Sequence, residues 1–363
     1  MLKRRETALG SAMSKVSRIV TGAGVLLAAA LALSPPVGAQ EFEKNILTGG
    51  PKGTYIQIGR DISEMAGQCG LTLNVQESAG SLENFLGVRQ RRNTQFGIVQ
   101  NDVLEYLRTY ASDDPDIARA IHGVRIAFPL YNEEVHVLAT RDIADLGQLA
   151  GRRVAVGVED SGTFLTASLV LDLAEVQPAE RVTIGPDESL EALLAGEIDA
   201  FFYVAGAPAA LFESEEIDPE RFHLVPISDP VLQAVYQPAT IAGGLYPFQP
   251  DPVEAITVKA VLMTYEYRPE DNSYHRASCQ AVSDVSHLIL TRFEEFRETG
   301  HPKWQQVDLN DIPPGWEIGS CVNAGLSESY SLECPGAMQA AEETLESQAN
   351  EAYRTQICRV IGC

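Results

Sequence analysis

Two stretches of this chain carry the same punctuation in the same order, and that recurrence limits the folds open to it. Gly53-Thr54 precedes Ser81-Leu82-Glu83 by 27 residues, counted from Thr to Ser, and Gly162-Thr163 precedes Ser189-Leu190-Glu191 by 26. The copies are offset by 109 residues at the first motif and 108 at the second. Around these motifs strand-like and helix-like segments alternate. In the first copy, residues 45–48, 71–76 and 96–100 read as strands. Residues 54–66, 82–91 and 102–110 read as helices, the first with Ile58, Ile62 and Met65 at helical spacing. In the second copy 154–158, 182–184 and 200–204 read as strands and 190–195 as a helix, while 164–175 is a helix with apolar residues on most faces. Such alternation builds βα units around a parallel or mixed sheet, and its repetition predicts two α/β lobes built alike.

The N-terminus predicts the compartment. Lys3, Arg4, Arg5, Lys15 and Arg18 face a single acid, Glu6; an apolar run over 19–33 follows, then Ser34-Pro35-Pro36 and the small residues Val37-Gly38-Ala39. Charged, apolar and small segments in that order form an export signal, with cleavage expected near Ala39. The run is shorter than the roughly 20 residues that a membrane span needs, and no later segment is long and apolar enough to span. Loss of residues 1–39 removes five bases and one acid, so the net charge of −23 becomes −27. An acidic surface argues against nucleic acid or anionic membrane as partners. It also requires that any anionic ligand meet a locally positive site.

The cysteines, at 69, 279, 321, 334, 358 and 363, are even in number. In an oxidising compartment they predict disulfides, with 15 full pairings open. Without a CxxC pair or a nearby histidine cluster, zinc is the weaker reading. Residues 236–246 read as a strand or crossover, 247–252 as a proline-rich turn, 253–263 as strand or helix by periodicity with Val and Ile favouring strand, and 273–297 as helices. Beyond Gly300 come both tryptophans, most of the cysteines and an acidic amphipathic helix over 337–354. The expected division is lobe 1 over 42–134 plus 247–300, lobe 2 over 135–246, and a Cys-rich extension over 301–363.

The candidate chemistry sits at helix starts. Gly50-Pro51-Lys52-Gly53-Thr54-Tyr55 follows a strand and opens a helix, as do Ser78-Ala79-Gly80-Ser81, Gln100-Asn101-Asp102 and Glu159-Asp160-Ser161-Gly162-Thr163. Glycines let the backbone approach a ligand, hydroxyls cap, and exposed amides at a helix N-terminus favour an anion. Four such starts at the carboxyl ends of strands can surround one crevice. Lys52 is the one cation within these loops, with a solvated side chain as the alternative reading. Enzymatic signatures are weak. Residues 49–54 have glycines but not the Gly-Lys-Ser/Thr order of a phosphate loop, and there is no HExxH. Asp160-Ser161-Gly162 lacks the preceding glycine and the histidine context of a protease nucleophile. The six histidines are scattered, and the pairs Glu133-Glu134 and Glu294-Glu295 read as solvated.

Five motifs in order carry a resemblance over roughly residues 45–300. They are Gly49-Gly50-Pro51-Lys52-Gly53-Thr54-Tyr55; Gly80-Ser81-Leu82-Glu83-Asn84; Phe96-Gly97-Ile98-Val99-Gln100-Asn101-Asp102; Val154-Ala155-Val156-Gly157 with Ser161-Gly162-Thr163; and the run from Leu194 to Pro208. The chain resembles the TAXI family of TRAP-transporter solute receptors. The resemblance implies a type II periplasmic-binding-protein fold, in which two lobes, each a mixed sheet flanked by helices, close by hinge motion at their crossovers. It implies a periplasmic protein that delivers a small carboxylate, such as glutamate or 2-oxoglutarate, to a TRAP membrane subunit, with no cofactor, metal or catalysis. It also implies a site formed by Gly53, Thr54, Tyr55, Ser81, Asn84 and Gln100 from one lobe and Ser161, Gly162, Thr163 and Tyr203 from the other. Tyr55 and Tyr203 would pack on the ligand's carbon skeleton. Ile56 stands where the family often has a second aromatic, and the tail after Gly300 lies outside the resemblance, as a disulfide-stapled cap or a second binding surface. Rival outputs are ligand sensing for a receptor kinase and, from related two-lobe folds, a transferase or lyase.

Overall fold

A computed structural model describes residues 44–111 and 113–332. The expected export segment, the helix over 337–354 and Cys334, Cys358 and Cys363 lie outside the described residues. The first βα series is β1 (Asn45–Leu47), α1 (Thr54–Gln68), β2 (Asn74–Gln76), α2 (Ser81–Gln90), β3 (Thr94–Gln100) and α3 (Val103–Tyr110). Helix α4 (Pro115–Gly123) leads into a long strand, β4 (Val124–Thr140). The second series is β5 (Arg153–Ala155), α5 (Gly162–Leu173), β6 (Glu180–Val182), α6 (Pro186–Ala195) and β7 (Ala200–Ala205). Then come β8 (Phe222–Leu224), α7 (Pro230–Val235), β9 (Gln237–Ile241), β10 (Val253–Tyr265), α8 (Ser273–Thr291), α9 (Phe293–Thr299) and α10 (Ser320–Gly325).

The strand order explains the repeated punctuation. One half of the sheet runs β2-β1-β3-β10-β4 and the other β6-β5-β7-β4-β8. In each, the first three strands are parallel and the fourth is an antiparallel strand arriving from the other half. Residues 124–134 of β4 pair with β10, and 134–139 pair with β7. Likewise β10 begins on β9 and ends between β3 and β4. These two strands are the crossovers of a two-lobe, periplasmic-binding-protein-like α/β architecture. Opposite Pro129, which has no N–H to donate, the β4–β10 register shifts between Lys259 and Val261, the kind of irregularity that bends a strand.

Helix α5 shows why a helix can be apolar all round. Ala167, Val170 and Leu171 enter the core of the second half with Val137, Val154 and Phe202. Leu165 and Leu169 enter a core of the first half with Phe85, Val88 and Trp316. A helix hydrophobic on every side is one buried on every side, and here the two sides belong to different lobes.

The chain after Gly300 is built into lobe 1. Trp304 is fully buried and stacks on Phe296 at 4.5 Å, and its Nε1 donates to Asp61 at 2.8 Å. Ile126 N–H donates to Glu317 O at 2.9 Å, and Gly319 N–H to Ile126 O at 3.3 Å, so the segment adds to the start of β4. A disulfide joins Cys279 of α8 to Cys321 of α10, and Cys69 is also disulfide-bonded. No packing boundary falls at residue 300, because the aromatic core of this lobe is completed from beyond it.

Candidate functional site

A cavity of about 330 Å³ opens between the halves at the carboxyl ends of their parallel strands. One wall is the β1–α1 loop, from Gly49 to Tyr55, with Ser78, Ala79, Gly80 and Gln100. The facing wall is Gly157, Val158, Ser161, Gly162, Thr163, the start of α6 and β7 from Phe202 to Ala205. Of the expected site residues, Gly53, Thr54, Tyr55, Gln100, Ser161, Gly162, Thr163 and Tyr203 line this one space.

Ser81 and Asn84 do not line it. Both are fully buried behind the wall. Ser81 Oγ accepts from Gln100 N–H at 3.0 Å. Asn84 Nδ2 donates to the carbonyls of Thr48 and Ile98, at 2.5 and 2.7 Å, and its Oδ1 accepts from Ser78 Oγ. An amide that ties β1 to β3 in this way fixes the wall and has no N–H left to donate to a ligand.

The four helix starts divide in the same fashion. No side chain caps α1, whose N-cap Gly53 donates its own N–H to Gly50 O at 3.0 Å, and Gly53, Thr54 and Tyr55 line the cavity. At α5, Ser161 Oγ caps Phe164 N–H at 3.0 Å and leaves Gly162 and Thr163 at the surface of the cavity. The amides of Leu82 and Glu83 in α2 are taken by the carbonyl of Asp160, at 3.0 and 3.3 Å, a contact from lobe to lobe. Before α3, Asn101 is spent on β10: its N–H donates to Lys259 O and its Oδ1 accepts from Lys259 N–H. The start of α6 is an unforeseen member of the lining through Pro186, Asp187 and Ser189. Gly185-Pro186-Asp187, with proline at the first helical position, was its local signal.

Glu133 is the residue that the sequence misplaced. The expectation that Glu133 and Glu134 are solvated is overturned: Glu133 is 3% exposed and lines the cavity, and Glu134 is largely enclosed. Their burial follows from β4, which at this point is flanked by β10 on one side and β7 on the other. Tyr55 Oη donates to Glu133 Oε2 at 2.6 Å. Burial pushes the Glu133 carboxyl up to about 8, against the downward pull of the Tyr55 hydrogen bond and the Lys303 ammonium. Glu134 accepts from Ala207 N–H at 2.6 Å and from Lys303 Nζ at 3.4 Å. Lys303, itself buried, comes from the segment beyond Gly300, and no local pattern marks it.

The surrounding polar groups are fixed. Thr163 Oγ1 accepts from Val204 N–H at 3.1 Å. His136, opposite Tyr203 in the ladder, is held neutral by burial, its pKa lowered to about 4. Its Nδ1 lies 3.2 Å from Tyr203 O, so Nδ1 donates there and Nε2 accepts from Tyr246 Oη at 2.8 Å. Burial raises Tyr203 to about 12, so its hydroxyl stays protonated. Deeper between the lobes, Asp102 Oδ2 accepts from Thr166 Oγ1 and Tyr236 Oη, at 2.9 and 3.3 Å, and burial raises this carboxyl to about 7. At the rim, Lys52 Nζ reaches Asp187 Oδ2 at 2.9 Å, so the loop cation bridges the lobes with both side chains exposed.

A second cavity, of about 370 Å³, lies behind lobe 1 among Leu104, Arg108, His122, Arg125 and Trp316. It touches a single lobe, and Arg125 is already paired with Glu266 at 2.9 Å. Among the described residues no group of three or more His, Cys, Asp or Glu is placed to hold a metal.

A family model described as the NMT1-like family matches residues 46–276, a span containing every lining residue of the interlobe cavity. Similar solved structures include MatC from Rhodopseudomonas palustris with bound malate, at 16% identity over 73% of this chain and 94% of that one, with a TM-score of 0.43. A histidine kinase sensor domain with similarity to periplasmic binding proteins is 13% identical over 74% of this chain and 99% of that chain, TM-score 0.43. The periplasmic binding protein BugD is 9% identical over 86% and 96%, TM-score 0.44.

Proposed function

The chain belongs to the NMT1-like family, and from that premise we propose that it is an exported solute-binding protein that captures a small carboxylate between its lobes and delivers it to a TRAP-type membrane transporter. The observation that carries the reading is the pair of helix starts on facing walls of one cavity, Gly53, Thr54 and Tyr55 of one lobe and Gly162 and Thr163 of the other. Backbone amides at such ends hold an anion without a cationic side chain. A chain of strongly negative net charge can therefore bind an anion locally. The cavity size suits a small molecule. Within the family, the TAXI receptors are the proposed branch, on the five ordered motifs; export rests on the charged, apolar and small segments before residue 40.

Binding is favoured over catalysis by the state of the polar groups. Ser161, Thr163 and His136 are each committed to caps or ladders, and none forms a nucleophile–base pair at the cavity. No helix among the described residues is long and apolar enough to cross a membrane.

A thermal-shift screen against dicarboxylates, 2-oxo acids and amino acids tests the proposal. A ligand at about 100 times its Kd stabilises by about 2.7 kcal/mol, a displacement of several degrees in a chain of this size. At least one carboxylate is expected to give it, unchanged after incubation. A panel without a shift, or conversion of the ligand to product, contradicts the proposal.

A further inference from the structure

The interlobe cavity contains an acid where an anion receptor would ordinarily keep a cation. Glu133 lies on β4 one residue before the strand gains β7 as a neighbour. Its Oε2 accepts from Tyr55 Oη at 2.6 Å, and its Oε1 has no hydrogen-bond partner among the described residues, although the side chain is 3% exposed and lines the cavity. The ionisable groups facing it come from every neighbouring element: Tyr55 on α1, Tyr131 and Glu134 on β4, Tyr203 on β7, Asp102 ahead of α3, and Lys303. Lys303 is the one cation in this set, and it is held by Glu134, Asn132 O and Gln306 outside the cavity lining. Lys52 and Asp187 do line the cavity but neutralise each other at its exposed rim. The interior thus offers a ligand carboxylate amides, hydroxyls and one carboxyl group.

We propose that the ligand is a carboxylate lacking an ammonium group, and that it binds together with one proton carried on Glu133 Oε1, which donates to the ligand while Oε2 keeps the Tyr55 hydrogen bond. This rests on the reading of the cavity as a carboxylate site. The balance is simple: ligand anion and solvent proton enter, no bond of the ligand breaks, and both leave on release. Two carboxylates at hydrogen-bond distance in a desolvated site cannot both ionise, so a bound anion holds the proton more tightly than the empty cavity does. Burial already places the Glu133 carboxyl near 8 before any ligand arrives. Below that pH the group is mostly protonated, and binding takes up little further proton. Above it, the free protein must gain the proton as it binds, so affinity falls by up to tenfold per pH unit. An ammonium-bearing ligand reverses the sign, because it would ionise Glu133 and expel a proton near neutrality.

Calorimetric titrations with malate, succinate, 2-oxoglutarate and glutamate, at pH 6.5 and pH 9, each in two buffers of different ionisation heat, measure the exchanged proton directly. The expected result is binding of one or more of the first three, with proton uptake near zero at pH 6.5 and approaching one at pH 9. The variant E133Q cannot titrate, so it loses the uptake and at pH 9 binds more tightly than the wild type. Proton release at pH 6.5, or no exchange at either pH, overturns the inference while leaving the carboxylate site intact. Absence of binding by all four anions overturns the carboxylate reading and the inference with it. A ligand-free check is carbon-13 NMR of the labelled glutamate carboxyls: the resonance absent from E133Q titrates near 8, and a midpoint below 6 overturns the proposal.

Discussion

Gly162 packs closely against the facing lobe. A Cβ at this position would lie 2.2 Å from Gln100 Oε1 and 2.8 Å from Ser81 Oγ. Its neighbour across the gap, Gly80, has φ of 129°, and a Cβ there would stand 3.2 Å from Gly162 N. Both are needed as glycines, one for space and one for conformation as well. Gly162→Ala therefore forces the Gln100 amide and the Ser81 hydroxyl out of their places, with an overpacking cost of about 1–3 kcal/mol. The expected outcome is a loss of ligand affinity of about tenfold or more with the far-UV spectrum unchanged, measured by titration calorimetry; unaltered affinity would place the ligand elsewhere. At this scale the sequence was legible wherever the signal was local. Glycine and hydroxyl residues at helix starts identify themselves, and eight of the ten residues that the family resemblance implied line the cavity. Ser81 and Asn84, which the family resemblance implied, are consumed in holding β1, α2 and β3 together. Glu133 was missed because two adjacent acids read as solvated, and only the strands on both sides of β4 bury them.

At the scale of elements, α5 couples the lobes. Its sequence, apolar on most faces, signals deep burial but not that the two buried faces serve different cores. Leu165 is fully buried on the face turned to lobe 1. Leu165→Ala is expected to cost about 2–5 kcal/mol, read as a lower denaturant midpoint, and to weaken ligand binding beyond that of a distant core substitution such as Val322→Ala of equal destabilisation. Equal binding by the two variants would show that α5 does not transmit lobe contact to the site. The βα series was legible because period and punctuation agree over several turns. β4 escaped notice: it carries Pro129, Asn132 and two glutamates, which interrupt any alternation. In the segment after Gly300 the cysteines signalled a disulfide, met by Cys279–Cys321, but Trp304 and Lys303 gave no sign of their roles, since they make their contacts with residues far away in sequence.

For the whole molecule, the strand orders β2-β1-β3-β10-β4 and β6-β5-β7-β4-β8 make the halves equivalent, and the carboxyl ends of their parallel strands meet at the cavity. The repeat in the sequence announced that equivalence; the exchange of crossover strands, which joins the halves into one hydrogen-bonded sheet, required the full topology. The proposed anion site bears on the net charge at this scale too. On that proposal the outer surface stays acidic because the binding groups are amides and hydroxyls, with the Glu133 carboxyl raised to about 8 by burial. The exposed Lys52–Asp187 pair spans the mouth but is worth at most about 1 kcal/mol, screened by salt. The cavity itself is the feature on which the proposed function depends. The most direct test is a crystal structure with the carboxylate that gives the largest thermal shift. The ligand carboxylate is expected within about 3.2 Å of the first-turn amides of α1, facing Gly162 and Thr163, with Glu133 Oε1 beside it. A ligand found instead in the groove of Arg108 and Trp316, with the interlobe cavity occupied only by water, would contradict this account.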